Sequence, residues 1–128
     1  MNDRERHDAG MTVRRKVLGD AHVDRAIAGT DAFTADFQDF ITRYAWGEVW
    51  TRPGLDRRVR SCVTLAVLAA LHHDEELALH VRAALRNGLS PQEVAEVLLQ
   101  VGVYAGVPAA NRAFRVAREA LRQEPGEA

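Results

Sequence analysis

Apolar residues in this chain recur at intervals of three and four with little strict alternation, and that periodicity restricts it to helices. Val94, Val97, Leu98, Val101 and Tyr104 share one face of one helix. Val59, Cys62, Val63, Ala66, Leu68, Ala69 and Ala70 form a small-residue-rich face on another, which marks it as central. Punctuation sets the bounds. Asp56 caps a helix from Arg57 to about Leu71. Asp74 caps one that ends near Arg86, where Asn87-Gly88 supplies a left-handed stop. Ser90-Pro91-Gln92-Glu93 matches a capping box with proline at the first helical position. Gly106-Val107-Pro108 ends that helix, and Pro108 opens a last one to about Arg122. Upstream, Val13 to Ala28 reads as one or two short helices interrupted near Gly19-Asp20. Thr30 to Tyr44 follows, with Phe33, Phe37, Phe40 and Ile41 as a stripe expected in the core. Residues 1–11 and 123–128 are polar and read as flexible. The expected fold is all-α, a single-domain helical bundle over residues 1–128.

Length and charge narrow the function. A chain of 128 residues buries about two-thirds of the surface its unfolded form exposes. Its 17 basic and 18 acidic residues leave a net charge of −1, which gives no electrostatic case for nucleic acid or a membrane surface. Cys62 stands alone, so neither an intrachain disulfide nor a thiol pair nor a cysteine-based zinc site is available. Its neighbours Val63 and Leu65 suggest a small core residue. The first eight residues lack the apolar segment of a signal peptide, and no apolar run approaches the roughly 20 residues of a membrane span. A cytoplasmic protein is expected.

Chemistry concentrates at His73-Asp74-Glu75-Glu76-Leu77-Ala78-Leu79-His80. Positions 73, 76 and 80 share a face on a continuous helix, and imidazole with carboxylate suits proton transfer near neutral pH. A histidine between Leu79 and Val81 ordinarily serves the core or an interface. Glu76, four residues before His80, favours the functional reading, because a carboxylate raises the basicity of an imidazole it bonds. If Asp74 caps the helix, His73 falls outside it and the shared face reduces to Glu76 and His80. His-x-x-Glu-x-x-x-His offers three metal ligands, but it is not the zinc-protease helix and holds no thiolate, so no metal is expected.

Trp46 to Leu55 is the least regular stretch and holds both tryptophans, Glu48, Arg52 and a Pro53-Gly54 turn signal. That composition fits a site wall, and equally a loop pinned to a core by its aromatics. Arg52, Arg57, Arg58 and Arg60 follow as a basic cluster. Cations at a helix start oppose the helix dipole, so an anion to offset them is expected. The arginine fork matches a small carboxylate, whereas the neutral remainder of the chain fits nucleic acid poorly.

Together these segments resemble the carboxymuconolactone decarboxylase family. The resemblance spans almost the whole chain, from Arg14-Arg15-Lys16-Val17-Leu18-Gly19 through Phe37-Gln38-Asp39-Phe40 and Glu75 to Ala84. It is densest at Tyr44-Ala45-Trp46-Gly47-Glu48-Val49-Trp50 and Tyr104-Ala105-Gly106-Val107-Pro108. The alkyl hydroperoxidase D-like proteins of the wider superfamily carry Cys-x-x-Cys-x-x-x-His. Here His73 and Glu76 stand at the cysteine positions, with His80 as the retained histidine. Thiol peroxidase chemistry is thereby removed. The resemblance implies an alkyl hydroperoxidase D-like helical fold that assembles as a homo-oligomer, typically a hexamer. It also implies cofactor-free decarboxylation of 4-carboxymuconolactone to 3-oxoadipate enol-lactone in protocatechuate breakdown. A hydroperoxide-reducing or a non-catalytic oligomeric member of the superfamily is the alternative. On the leading reading His80 delivers the proton and Glu76 or Glu48 tunes it. Arg52, Arg57 and Arg58 bind the substrate's carboxylates, Trp46 forms a dry wall, and His73 lines the pocket.

Overall fold

The computed structural model describes residues 1–127, with side chains to Gln123; of the tail 123–128 expected to be flexible, Gln123 lies within the last helix and the side chains of 124–128 lie outside those described. Among the described residues every regular element is helical, as the three-and-four periodicity requires. The order is α1 (Asp3–Leu18), α2 (Asp20–Ala28), α3 (Ala35–Ile41), a π-helix (Thr42–Val49), α4 (Arg57–Ala70), α5 (Asp74–Arg86), α6 (Pro91–Tyr104) and α7 (Val107–Glu127). Two compact units result, one from Met1 to Asp56 and one from Arg57 onward.

In the first unit the N-terminal segment departs from the flexible tail expected for residues 1–11. It is the start of α1, held by a capping box in which Asn2 Oδ1 accepts from Glu5 N at 2.8 Å and Glu5 Oε1 accepts from Asn2 N at 2.9 Å. Val13, Val17, Leu18, Val23 and Trp46 form the buried apolar set of this unit. Arg14 is buried among them. Its guanidinium donates to Thr42 Oγ1 at 3.2 Å and Gln38 Oε1 at 3.1 Å, while its Nε has no partner. Burial pushes its pKa below the ordinary arginine value, since a dry environment penalises the charged form.

The chain between α2 and α3 turns where a helix from Thr30 was expected. Asp31 Oδ1 accepts from Phe33 N at 2.9 Å and Thr34 N at 3.0 Å, a local side-chain bond that competes with the helix. The Phe33-Phe37-Phe40 stripe is not core within the chain. These rings are 93%, 61% and 50% exposed, and Phe40 stacks on Tyr44 with centroids 5.5 Å apart. The periodicity marks an apolar face correctly, but the chain's own fold leaves it uncovered.

The second unit has its core where α4 to α7 meet, built on Leu65, Ala69, Leu77, Val81, Leu89, Val94, Leu98 and Ala113. Cys62 packs against it as a partly buried side chain. The buried line of α4 is Ser61, Leu65 and Ala69; Val59, Val63 and Val67 face outward, so the expected continuous face is a narrower stripe. On α6 the buried residues are Val94, Leu98 and Val101, and Tyr104 is 85% exposed rather than inward. The α6 capping box forms as the sequence indicates: Ser90 Oγ accepts from Glu93 N at 3.1 Å, and Glu93 Oε1 accepts from Ser90 N at 2.9 Å.

Candidate functional site

The residues singled out in the sequence fall into two groups, one in each unit. In the first unit, Trp46 and Glu48 lie on the π-helix and Arg52 just beyond it. The stretch read as irregular is therefore largely a wide helix, with Trp50 N donating to Ala45 O at 3.0 Å, five residues back. Such wide turns are rare, and where they occur they often accompany function.

This π-helix crosses α1 in backbone contact at two glycines. A Cβ on Gly47 would fall 2.2 Å from the Arg6 carbonyl oxygen, and one on Gly10 would fall 2.1 Å from the Thr42 carbonyl oxygen. The crossing sets Glu48 beside α1. Arg6 Nε donates to Glu48 Oε1 at 3.0 Å, and Arg52 Nη1 lies 3.7 Å from Glu48 Oε2. Trp46 is buried, and Trp50 lies against it with centroids 5.1 Å apart and planes tilted by 31°. Of the two sequence readings of these tryptophans, burial of Trp46 matches the aromatic that pins its segment to a core.

In the second unit, Arg57 and Arg58 open α4. Arg58 Nη2 donates to Glu93 Oε2, so the capping glutamate of α6 also holds Arg58. Arg57 is half-buried and makes no ion pair among the described residues. The connection from α4 to α5 is tight. His72 adopts a left-handed φ of 61°, a conformation histidine tolerates better than most non-glycine residues. His73 follows as the residue flanking α5, with φ −87° and ψ 77°. It therefore stands outside the helix, and the shared face is reduced to Glu76 and His80, one turn apart. Asp74 occupies the first helical position rather than the cap. It accepts from Arg112 Nε at 3.0 and 2.9 Å, which ties the start of α5 to α7. His80 is half-buried, directly before the fully buried Val81, while His73 and Glu76 are exposed. Three carboxylates, Asp74, Glu75 and Glu76, sit in the first turn of α5, where the helix dipole favours negative charge.

The sequence reading missed Arg6, the side chain bonded to Glu48. A signal for it was present: Asn2-x-x-Glu5 is a helix-start signature that places Arg6 on the first turn of α1.

Comparison with known proteins gives one consistent result. The chain is 48% identical over 122 residues to a protein of Acinetobacter baylyi named 4-carboxymuconolactone decarboxylase, covering 95% of this chain and 91% of the relative. It is 40% identical over 114 residues to nitrosuccinic acid decarboxylase of Metarhizium robertsii, covering 89% of this chain and 80% of the relative. A 48-residue match to a Pseudomonas putida protein, also named 4-carboxymuconolactone decarboxylase, is 54% identical and spans all of that sequence and 38% of this one. The model of the carboxymuconolactone decarboxylase family matches residues 35–119, and this chain belongs to that family.

Proposed function

We propose that this protein decarboxylates 4-carboxymuconolactone to 3-oxoadipate enol-lactone and CO₂ without a cofactor, in the β-ketoadipate route of protocatechuate catabolism. The observation that carries this reading is the near full-length identity with a relative of that name. The chemistry fits the residues. Breaking the bond to the carboxylate leaves an electron pair on carbon, which moves through the adjacent double bond into the lactone carbonyl. The substrate is thus its own electron sink, where other decarboxylations draw one from a cofactor. What the protein must supply is a grip on carboxylates, stabilisation of the dienolate oxygen and one proton to carbon.

His80 delivers that proton, and its half-buried place on the core-packed helix α5 holds the ring in register. Glu76, one turn earlier on the same helix, orients it on this reading, and Glu48 is the alternative partner. Trp46, with Trp50 against it, is the apolar element that favours loss of a charged carboxylate. His73, exposed before α5, lines the pocket. Arg52, Arg57 and Arg58 grip the substrate's carboxylates, and they are unequal in this. Arg58 is engaged by Glu93 and Arg52 lies near Glu48, whereas Arg57 has no such competitor among the described residues. Arg57→Ala is therefore expected to raise KM about tenfold or more, the loss of roughly 1.5–3 kcal/mol for a charged hydrogen bond. Arg58→Ala should raise KM less, and initial rates across a range of substrate concentration measure both. Equal effects, or none at Arg57, would reassign the grip.

The Metarhizium relative supports the same reaction class, since a nitro group on a succinate is likewise an electron sink carried by the substrate. A purified sample should convert the lactone to one equivalent of CO₂ and one of enol-lactone, identified by NMR. Consumption of a hydroperoxide with a dithiol, and no CO₂, would support the alternative superfamily activity.

The protein is proposed to act in the cytoplasm; no helix among the described residues is long and apolar enough to cross a membrane. We also propose a homo-oligomer, a hexamer. The exposed Phe33, Phe37, Phe40, Val63, Val67 and Tyr104 support this, because a monomer rarely leaves so much large apolar surface in water. Light scattering should give a particle near six times the 14.2 kDa chain mass. A monomer at micromolar concentration would contradict it.

A further inference from the structure

We infer that Arg6, on the N-terminal helix, is a positioning residue that acts through Glu48. This rests on the proposed part played by Glu48 in the reaction. The guanidinium of Arg6 bridges two carboxylates: Nε donates to Glu48 Oε1 at 3.0 Å and Nη1 to Asp3 Oδ1 at 3.2 Å. Arg52 approaches the other oxygen of Glu48, so both carboxylate oxygens have a cation beside them.

An ordinary surface ion pair between long side chains contributes about 0–1 kcal/mol and holds nothing in place. This one differs in its backbone. The Arg6 carbonyl oxygen lies where a Cβ on Gly47 would stand, and Gly47 immediately precedes Glu48. The main chain of Arg6 thus fixes the main chain of its carboxylate partner, so the two side chains project from backbones held at a set separation. Nε and Nη1 point in fixed, different directions on a planar group, so Asp3 anchors the orientation in which Arg6 meets Glu48. Arg6 also lies outside the region matched by the family model, which begins at residue 35. The clamp is supplied by α1, a separate helix from the one that carries Glu48.

The test uses the full-length chain with Arg6→Ala, Arg6→Lys, Glu48→Gln and the double variant Arg6→Ala/Glu48→Gln. Circular dichroism first establishes that each is folded; should Arg6→Ala fail to fold, Arg6→Gln replaces it. Arg6→Ala is expected to lower kcat by roughly tenfold to a hundredfold, the scale for misplacing a reacting group by about 1 Å, with KM little changed. Arg6→Lys should recover part of the loss, because it keeps the charge without the fork. In the Glu48→Gln background, removing Arg6 should cost nothing further. If Glu48→Gln lowers kcat and Arg6→Ala does not, the inference is overturned and Glu48 keeps its part. If the two losses multiply in the double variant, Arg6 does not act through Glu48 and the inference is likewise overturned. If Glu48→Gln retains full kcat, the part assigned to Glu48 fails first and the inference falls with it.

Discussion

Replacing His80 by glutamine is expected to lower kcat by about 10²–10⁴, the range for removing a positioned proton-transfer group. Glutamine keeps the helix, since its propensity is at least that of histidine. It also keeps two hydrogen-bonding ends, but it cannot exchange a proton at neutral pH. The packing around position 80 is set by the buried neighbours Leu77, Val81 and Ala84, none of which changes. KM should therefore stay within a few fold, because the proposed mechanism assigns carboxylate binding to the arginines. Turnover by His80→Gln close to wild type, in a protein with an unchanged melting temperature, would remove His80 from the reaction and leave Glu76 and Glu48 as the candidate donors.

Gly47→Ala is expected to be strongly destabilising, as is Gly10→Ala at the same crossing. In an ordinary helix this substitution gains about 1 kcal/mol of propensity. Here the new Cβ meets the Arg6 carbonyl oxygen at 2.2 Å and the Arg6 carbonyl carbon at 2.9 Å. Both are backbone atoms, so no rotamer change relieves the contact. Helix α1 has to move away from the π-helix, and the buried contacts of Val13 and Val17 weaken with it. Overpacking a tight core costs about 1–3 kcal/mol and occasionally more, and a clash with backbone on both sides belongs at the upper end. The penalty therefore outweighs the propensity gain. A fall in melting temperature on the order of 10 °C follows for a domain of this size. Gly54→Ala is the matched control, since nothing lies within 4 Å of the place its added methyl would take and its φ needs no glycine. Thermal unfolding of the two variants side by side checks this, and equal melting temperatures would show that the glycine crossing can be opened without cost.

Helix existence was legible because it depends on local terms. The Ser90-x-x-Glu93 box and the Asn87-Gly88 stop each act within a turn or two, and each appears as expected; the apolar spacing of α6 holds for Val94, Leu98 and Val101 but not for Tyr104. The same box at Asn2-x-x-Glu5 was as readable, but the polar composition around it pointed to a loose tail. Its stability comes from a partner remote in sequence, the π-helix, which composition does not reveal. The π-helix itself was hidden for a similar reason: nothing in Thr42–Val49 but a glycine marks it, and its width goes with a close backbone crossing at Gly10. The aromatic stripe was read as apolar, correctly, and as core, incorrectly. Periodicity identifies a face that avoids water but not the surface that covers it.

Among the candidate residues, local placement was legible to the same depth. Spacing on one helix placed Glu76 and His80 a turn apart and detached His73, as observed. The loss of Arg58 to Glu93 could not be read from sequence, because it joins residues 35 positions apart through a cap that looked merely structural. Arg57, treated as equivalent to its neighbours, makes no ion pair among the described residues, unlike Arg52 and Arg58.

The most direct test of the proposed decarboxylation is the ultraviolet absorbance of 4-carboxymuconolactone on addition of the wild-type protein, purified and treated with a chelator. Decarboxylation moves the double bond out of conjugation with the lactone carbonyl, so the absorbance should fall in proportion to enzyme, with no metal or organic cofactor added. Absorbance that stays constant with folded, oligomeric protein would contradict it.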